Sequence, residues 1–544
     1  MHEIYTQLVP LADYNKVRRI DGFDCISREY PIYLTDESKL SPEPFGHLFF
    51  PADEAELAAV LKQMAARKIK VTIAGARTGL VGGCVPRKGA LVSLENFDRV
   101  QAVSYDKLAG EWRVQAQCAV NLRSLSAQIA AKNFPDIERC GDQSALNGLL
   151  GFKQDPAVYF YPPDPTEMSA SLGGTVATNA SGARTYRYGP SRNWVRGIRV
   201  MLPSGEVLTI PRGKYFASAA GGFTVYDSRA NDLRIKLPSY RWPCTKNTCG
   251  FFTAPQMDLI DLFIGSEGSF GIITEVTVAL LRRTEKISLV QFLESDEQAI
   301  ELVCALRDEK RLQLDFLEFY SGNALALLRQ RQQQDPKAVD MPPIPDQAGA
   351  ALFFELGFAP LAERLDFTAL EAIVRNYGTS LADSWAAYEN RELQRLKNFR
   401  HLLPETVNAI IAERKKQYPK LHKLGTDLAV PDDRLRDMWL IYKKALDEAG
   451  LQWVAFGHIG NNHIHVNILP RNGSELDKGL KLYEAFAAKA VEFGGTVSAE
   501  HGIGKLKIKF LNLMYTPEQI NEMRTVKSAL DPGWLLNPGN IFDD

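Results

Sequence analysis

"PPDPTEMSASLGGTVATNASGARTYRYG", residues 162–189, carries four glycines among small and polar residues, where a helix or strand would need an apolar face. Two further stretches share this character: "AGARTGLVGGCVP" from Ala74 and "DLFIGSEGSFGIITEVTV" from Asp261. Glycine admits positive φ and close backbone approach, so such loops can turn rows of N–H donors towards a phosphate. None has the G-x-G-x-x-G spacing of a dinucleotide fingerprint, and G-x-x-x-x-G-K-[ST] is absent. A single loop of this kind is as easily a tight turn. Three in one region point to a ligand wrapped by backbone.

Between the loops, local signals alternate. "DEAELAAVLKQMAARK" (Asp53–Lys68) has apolar residues at helical spacing behind a candidate N-cap, Asp53. "IKVTIAG", "ALVSLENFDRVQAVSYD" and "EWRVQAQCAV" read as strands. The alternation runs to about Leu281 and predicts an α/β or α+β unit. Residues 211–258, rich in Gly, Pro and aromatics, read as an insertion over the surface of that unit. From Ile287 the pattern becomes strand then helix ("SLVQFLESDEQAIELVCALRD") and strand again ("GAALFFELGF"). A long helical pattern follows, interrupted at Pro404. The expected division is 1–40, an extension; 41–283, the first domain; 284–510, a second domain; and 511–544, a tail packing back on the first.

The 544 residues suggest roughly three or four units of about 150 residues. Hydrophobic (45%) and charged (24%) contents are globular, and a net charge of −1 leaves no electrostatic case for nucleic acid. No apolar run reaches the roughly 18–20 residues of a membrane span, and the N-terminus lacks the apolar core of a signal peptide. Seven scattered cysteines then read as reduced thiols, and a cytoplasmic location is expected, with peripheral attachment to the inner membrane left open.

"VAFGHIGNNHIHVNILPRNG" (Val454–Gly473) holds three of the eight histidines. Strand alternation puts His463 and His465 on one face, and "IGNN" is a turn able to return His458 towards them. Two imidazoles are too few for a metal, and "SAEH" offers Glu500 with His501 beside it. Residue chemistry alone leaves a metal site and a polar cluster both open.

The three glycine loops, in this order and separation, resemble the flavin-binding (PCMH-type) domain of the vanillyl-alcohol oxidase and p-cresol methylhydroxylase family. The second half resembles that family's D-lactate and D-2-hydroxyglutarate dehydrogenase branch. The resemblance implies an α+β fold: a two-subdomain FAD domain, then a cap with an antiparallel sheet and helices. It implies that Gly75, Arg77, Thr78 and Gly79 lie on the FAD pyrophosphate. Pro163, Asp164, Gly173, Gly174, Ala177, Asn179 and Gly182 would wrap the isoalloxazine and ribityl, with Glu267, Gly268 and Ile273 at the adenosine end. No histidine lies between residues 48 and 400, and Thr78 stands where some members tether FAD, so noncovalent FAD is expected.

The branch carries "GH-[LIV]-GDGN-[LIV]-H-[LIV]-N" and, later, "EHG-[IV]-G". By position, His458, His465 and Glu500 become ligands of a divalent metal, Zn²⁺ or Mn²⁺; His501 the base; Asn467 a substrate contact; and Arg400, with Lys423 as second candidate, the carboxylate anchor. This chain departs where GDGN becomes Gly460-Asn461-Asn462-His463. His463 is expected to be either a fourth ligand or an imidazole that stands behind the ligands or faces substrate, the latter alternative being preferred.

The expected reaction is oxidation of a D-2-hydroxy acid, D-lactate-like, to the 2-oxo acid. The rivals are a metal-free oxidase of a sugar or aromatic alcohol, and a non-catalytic flavin- or metal-binding subunit of an electron-transfer complex. The electron acceptor (quinone, cytochrome, electron-transfer flavoprotein or iron–sulfur subunit) and homo-oligomerisation stay open.

Overall fold

The computed structural model describes residues 3–334, 341–358 and 367–543. Helix Glu54–Ala66 forms where the spacing predicts it. Asp53 caps it by accepting from the Glu56 N–H at 3.0 Å, worth about 1 kcal/mol. Leu57, Val60, Leu61 and Met64, at i, i+3, i+4 and i+7, bury its inner face. In chain order it lies between the second and third strands of a four-stranded sheet, whose spatial order is Arg19–Asp21, His47–Phe49, Ala90–Ser93, Val71–Ala74, parallel except at its first pair. The loop from Ala74 to Pro86 leaves the end of the last of these strands.

A second sheet of six strands runs Gln7–Leu8, Glu206–Pro211, Val195–Met201, Ile272–Ala279, Glu111–Gln117, Val100–Asp106, antiparallel at every pair. Loop 261–271 feeds its strand Ile272–Ala279, and loop 162–189 includes the short helix Leu172–Ala177. The glycine loops therefore emerge beside one another from two sheets.

The first forty residues are woven into this half: Ile4–Tyr5 pairs with Gly222–Tyr226, Gln7–Leu8 with Glu206–Pro211, and Arg19–Asp21 with His47–Phe49. Residues 211–258 differ from their expected place on the surface. Gly222–Tyr226 and Asp232–Lys236 do form an outer hairpin. Beyond it, Asn247, Thr248, Cys249 and Phe251 are buried, because the Thr248 N–H donates to the Ser498 carbonyl at 2.8 Å.

Glu285–Leu293 opens a seven-stranded antiparallel sheet, ordered Trp385–Ala387, Glu285–Leu293, Ala350–Phe358, Leu314–Tyr320, Trp453–Gly457, His465–Ile468, Leu424–Gly425. Neighbouring residues of its buried strand Leu314–Tyr320 point to opposite layers. Phe319 meets Trp439 of helix Leu435–Ala449 at 5.1 Å between rings, and Tyr320 meets Phe399 of helix Asn390–Gln417 at 4.7 Å. Pro404 does not interrupt that helix, which runs unbroken through it. Proline removes only the N–H that would bond to the Arg400 carbonyl, and buried Phe399, Leu403 and Val407 anchor both sides of the gap.

The two halves meet through a buried array of charge. Arg184 forks onto Glu355 at 2.8 and 3.0 Å and reaches Asp164 at 3.1 Å, while Arg187 pairs with Asp315 at 3.2 Å. The chain's end closes on the first sheet, with the Val71 N–H donating to the Leu535 carbonyl at 2.8 Å.

Candidate active site

A cavity of about 330 Å³ lies between the glycine loops and the second half. Of the residues expected to hold FAD, Gly75, Arg77, Thr78, Gly79, Gly173, Gly174, Ala177, Glu267, Gly268 and Ile273 line it. Glycine is required at two of them. A Cβ on Gly173 would come within 2.4 Å of the Cys118 Cβ, and Gly268, at φ +69°, has the Asn537 amide 2.3 Å from such an atom. Each loop also holds one non-glycine residue at positive φ: Arg77 (59°), Asn179 (48°) and Glu267 (53°). Such strain gathers where backbone must meet a ligand.

Pro163, Asp164, Asn179 and Gly182, expected on the flavin, are not in the cavity wall. They hold the loop's shape from behind. Asp164 accepts from the Arg184 N–H and guanidinium, Asn179 Oδ1 accepts from the Arg192 N–H, and a Cβ on Gly182 would strike the Asp164 carbonyl at 2.0 Å. Glu267 is likewise spent inside the protein, accepting the N–H groups of Ile503 at 2.7 Å and Gly504 at 2.8 Å. It ties the third glycine loop to the segment bearing Glu500 and His501. Arg77 lays its guanidinium 4.4 Å over the Tyr33 ring, which leaves its backbone to face the cavity. Cys84 lines the cavity, but burial pushes its thiol up to about 12, so it stays protonated and a poor flavin tether.

At one end the wall is Glu500 and His501. Behind Glu500 stand His458, His463 and His465, and one potential ligand atom from each of the four lies within 4.8 Å of the others. Glu500 Oε1 is 3.2 Å from His465 Nε2, and Oε2 is 3.6 Å from His458 Nε2 and 3.9 Å from His463 Nδ1. A 3-10 turn, Ile459–Asn461, brings His458 back to the strand. The strand itself starts at His465, after Asn462 at φ 53°, so a left-handed residue and not alternation sets His463. Its ring still lies 4.3 Å from that of His465.

His463 is fully buried and absent from the cavity wall. Its nitrogens face Asp427 at 3.1 Å and Glu500 at 3.9 Å, which opposes a substrate-facing imidazole and leaves open a place behind the ligands or among them. Among the described residues neither nitrogen makes a well-aligned hydrogen bond, and nor does His458 Nδ1. Orphaned buried nitrogens cost roughly 1–3 kcal/mol each unless something satisfies them. Three imidazoles and one carboxylate form a donor set suited to a borderline divalent ion.

Asp427 organises the far side. Fully buried, it accepts the N–H groups of Glu500 and His501 at 3.1 Å, the Ser498 hydroxyl at 2.8 Å and the Lys507 ammonium at 2.6 Å. Burial opposes its charge, but His501 and Lys507 hold its carboxyl far below the usual range. His501 Nδ1 is 3.3 Å from Asp427 and Nε2 is 3.5 Å from Glu500. Glu500 is likewise held well below its ordinary value: burial disfavours its charge, while Lys246 and the imidazoles favour it.

Arg400 does not present an open fork to the cavity. Its Nε and Nη2 grip Glu318 at 2.9 and 2.8 Å, leaving Nη1 without a hydrogen bond among the described residues. Glu318, pushed down to about 2 by Arg400 and His458 against the cost of burial, also sits 3.2 Å from His458 Nδ1. Lys423 has no ion-pair partner among the described residues, and burial lowers its pKa. Asn467 is buried on the same strand face as His465.

Sequence reading missed Asp427, Glu318 and Lys246. Two acids in the otherwise apolar "LDFLEFY" were a usable signal for Glu318. Nothing local marked the other two.

Residues 46–146 and 154–211 match the family described as "FAD binding domain", and 282–541 the family described as "FAD linked oxidases, C-terminal domain". The chain is 30% identical over 513 residues to a D-lactate dehydrogenase of Anaerostipes hadrus, covering 89% of this chain and 87% of the relative. It is 26% identical over 502 residues to a D-2-hydroxyglutarate dehydrogenase of Stutzerimonas stutzeri, covering 91% and 90%. Its fold is that of a solved alkyldihydroxyacetonephosphate synthase, with TM-score 0.56 at 13% identity over 98% of this chain and 89% of that one. With the loops, the cavity and the two matched domains in register, the chain belongs to the FAD-linked oxidase family and is an FAD-linked oxidoreductase of the kind represented by the D-2-hydroxy acid dehydrogenases.

Proposed function

We propose that the protein oxidises a D-2-hydroxy acid, D-lactate-like, to its 2-oxo acid. One observation carries this reading: Glu500 belongs both to the wall of the cavity between the glycine loops and to the imidazole cluster, with His501 beside it. The glycine loops would hold FAD without a covalent tether, and FAD supplies the acceptor for the hydride leaving carbon two. His458, His463, His465 and Glu500 would hold a divalent ion, Zn²⁺ or Mn²⁺, which as a Lewis acid lowers the pKa of the substrate hydroxyl.

Asp427 faces His501 Nδ1 and thereby leaves Nε2 to take the hydroxyl proton. The Asp427 bonds to the N–H groups of Glu500 and His501 fix both residues at the cavity's end. Arg400 Nη1 and the Lys423 ammonium, neither of them bonded among the described residues, would take the substrate carboxylate. Asn467, on the strand face of His465, would add one hydrogen bond to the substrate.

The test is flavin bleaching under anaerobic conditions with matched D- and L-2-hydroxy acids. Bleaching by one or more D acids, and not by their L forms, is expected. Bleaching only by sugars or aromatic alcohols would overturn the reading.

A further inference from the structure

Lys246 belongs to the 211–258 segment, yet its side chain is only 4% exposed and its Nζ lies 2.7 Å from Glu500 Oε2. It is nailed there from both sides of Glu500. Its neighbour Thr248 donates its N–H to the Ser498 carbonyl at 2.8 Å, and the Thr248 hydroxyl accepts from the Gly502 N–H at 3.0 Å.

The cluster's charge then balances without any ion. Glu500 is matched by Lys246, Glu318 by Arg400 at 2.8 Å and Asp427 by Lys507 at 2.6 Å. A divalent ion held by the imidazoles would bring two positive charges to a buried place where these three carboxylates are already paired. Buried charge is costly unless compensated. A 2-hydroxy acid arrives with one negative charge and acquires a second when its hydroxyl gives up the proton.

We propose that Lys246 keeps the imidazole cluster electrically neutral, so that a divalent ion is held firmly only together with an anionic 2-hydroxy or 2-oxo acid. This rests on the metal reading given under Proposed function. By linkage, the anion must tighten the metal as much as the metal tightens the anion.

The experiment is equilibrium binding of Mn²⁺ to the full-length, FAD-loaded protein. It is run with and without oxamate, a carboxylate shaped like a 2-oxo acid and carrying no transferable hydride. In the wild type, oxamate should lower the Mn²⁺ dissociation constant by about 10–100-fold, the upper range of typical site-to-site coupling. Lys246→Met should bind Mn²⁺ tightly without oxamate and lose most of the oxamate effect. Lys246→Gln, which keeps a donor to Glu500 without the charge, carries the same expectation, and Lys246→Arg should behave as wild type. Flavin absorbance identifies the correctly folded proteins.

Unchanged or weaker Mn²⁺ binding in both neutral variants, or an undiminished oxamate effect, overturns the role of Lys246 alone. Failure of every protein to bind Mn²⁺ under either condition overturns the metal reading and this inference with it.

Discussion

Replacing Asp427 by Asn removes one charge from the centre of the site and should cost both stability and turnover. The carboxylate accepts four hydrogen bonds, from the N–H groups of Glu500 and His501, the Ser498 hydroxyl and the Lys507 ammonium. An amide keeps one acceptor oxygen and turns the other position into a donor, facing groups that also donate. The larger loss is electrostatic, because the Lys507 side chain, only 11% exposed, is left with an uncompensated charge. Breaking a buried pair from one side costs about 3–5 kcal/mol, a large share of the roughly 5–15 kcal/mol that holds a domain together. His501 also loses the group facing Nδ1, and errors of this kind behind a working residue lower activity by about 10–100-fold. Denaturant unfolding followed by flavin fluorescence, together with stopped-flow flavin reduction, measures the two effects separately. Adding Lys507→Met to Asp427→Asn should restore part of the stability, since the orphaned charge is gone, and should leave reduction slow. Wild-type stability in Asp427→Asn, or strictly additive losses in the double variant, would refute the reasoning.

Acid or heat should release all flavin as FAD, because no histidine lies between residues 48 and 400 to tether it and burial keeps the Cys84 thiol protonated; flavin left on the denatured chain would contradict this. His501→Ala should keep its FAD and reduce it on the order of 10²–10⁴-fold more slowly in stopped-flow, the range for a lost general base. A normal rate would place the base elsewhere. His463→Asn should weaken metal binding at least about ten-fold in equilibrium dialysis while the order of preferred hydroxy acids stays the same, since both ring nitrogens face Asp427 and Glu500. A changed order with full metal content would return His463 to the substrate.

Much of the fold was legible because its signals are local. The helix at Glu54–Ala66 needed only Asp53 and an apolar stripe, and the strand Ala350–Phe358 needed only its own composition. Pro404 misled because its local rule is sound for an isolated helix. Here Phe399, Leu403 and Val407 pack the helix onto the sheet and outweigh one missing hydrogen bond. The glycine loops were legible as ligand-wrapping backbone. Which residues face inward was not, because Asp164, Asn179 and Gly182 serve the loop's own shape through partners elsewhere, Arg184 and Arg192 among them.

The candidate site divides along the same line. His458, His465, Glu500 and His501 sit in two compact motifs, which together with the family resemblance pointed to chemistry. The groups that set their charge come from three other places: Glu318 from mid-sheet, Asp427 beyond an edge strand, and Lys246 from a segment that looked like surface. A lysine's sequence neighbours do not reveal that it will be buried against a carboxylate some 254 residues away. Only closure of the Thr248–Ser498 and Thr248–Gly502 bonds puts it there. Residue identity at the motifs thus speaks for the kind of reaction. On the proposed reading, the affinity for a divalent ion and its dependence on an anionic partner would lie in pairings that exist only once the chain has folded.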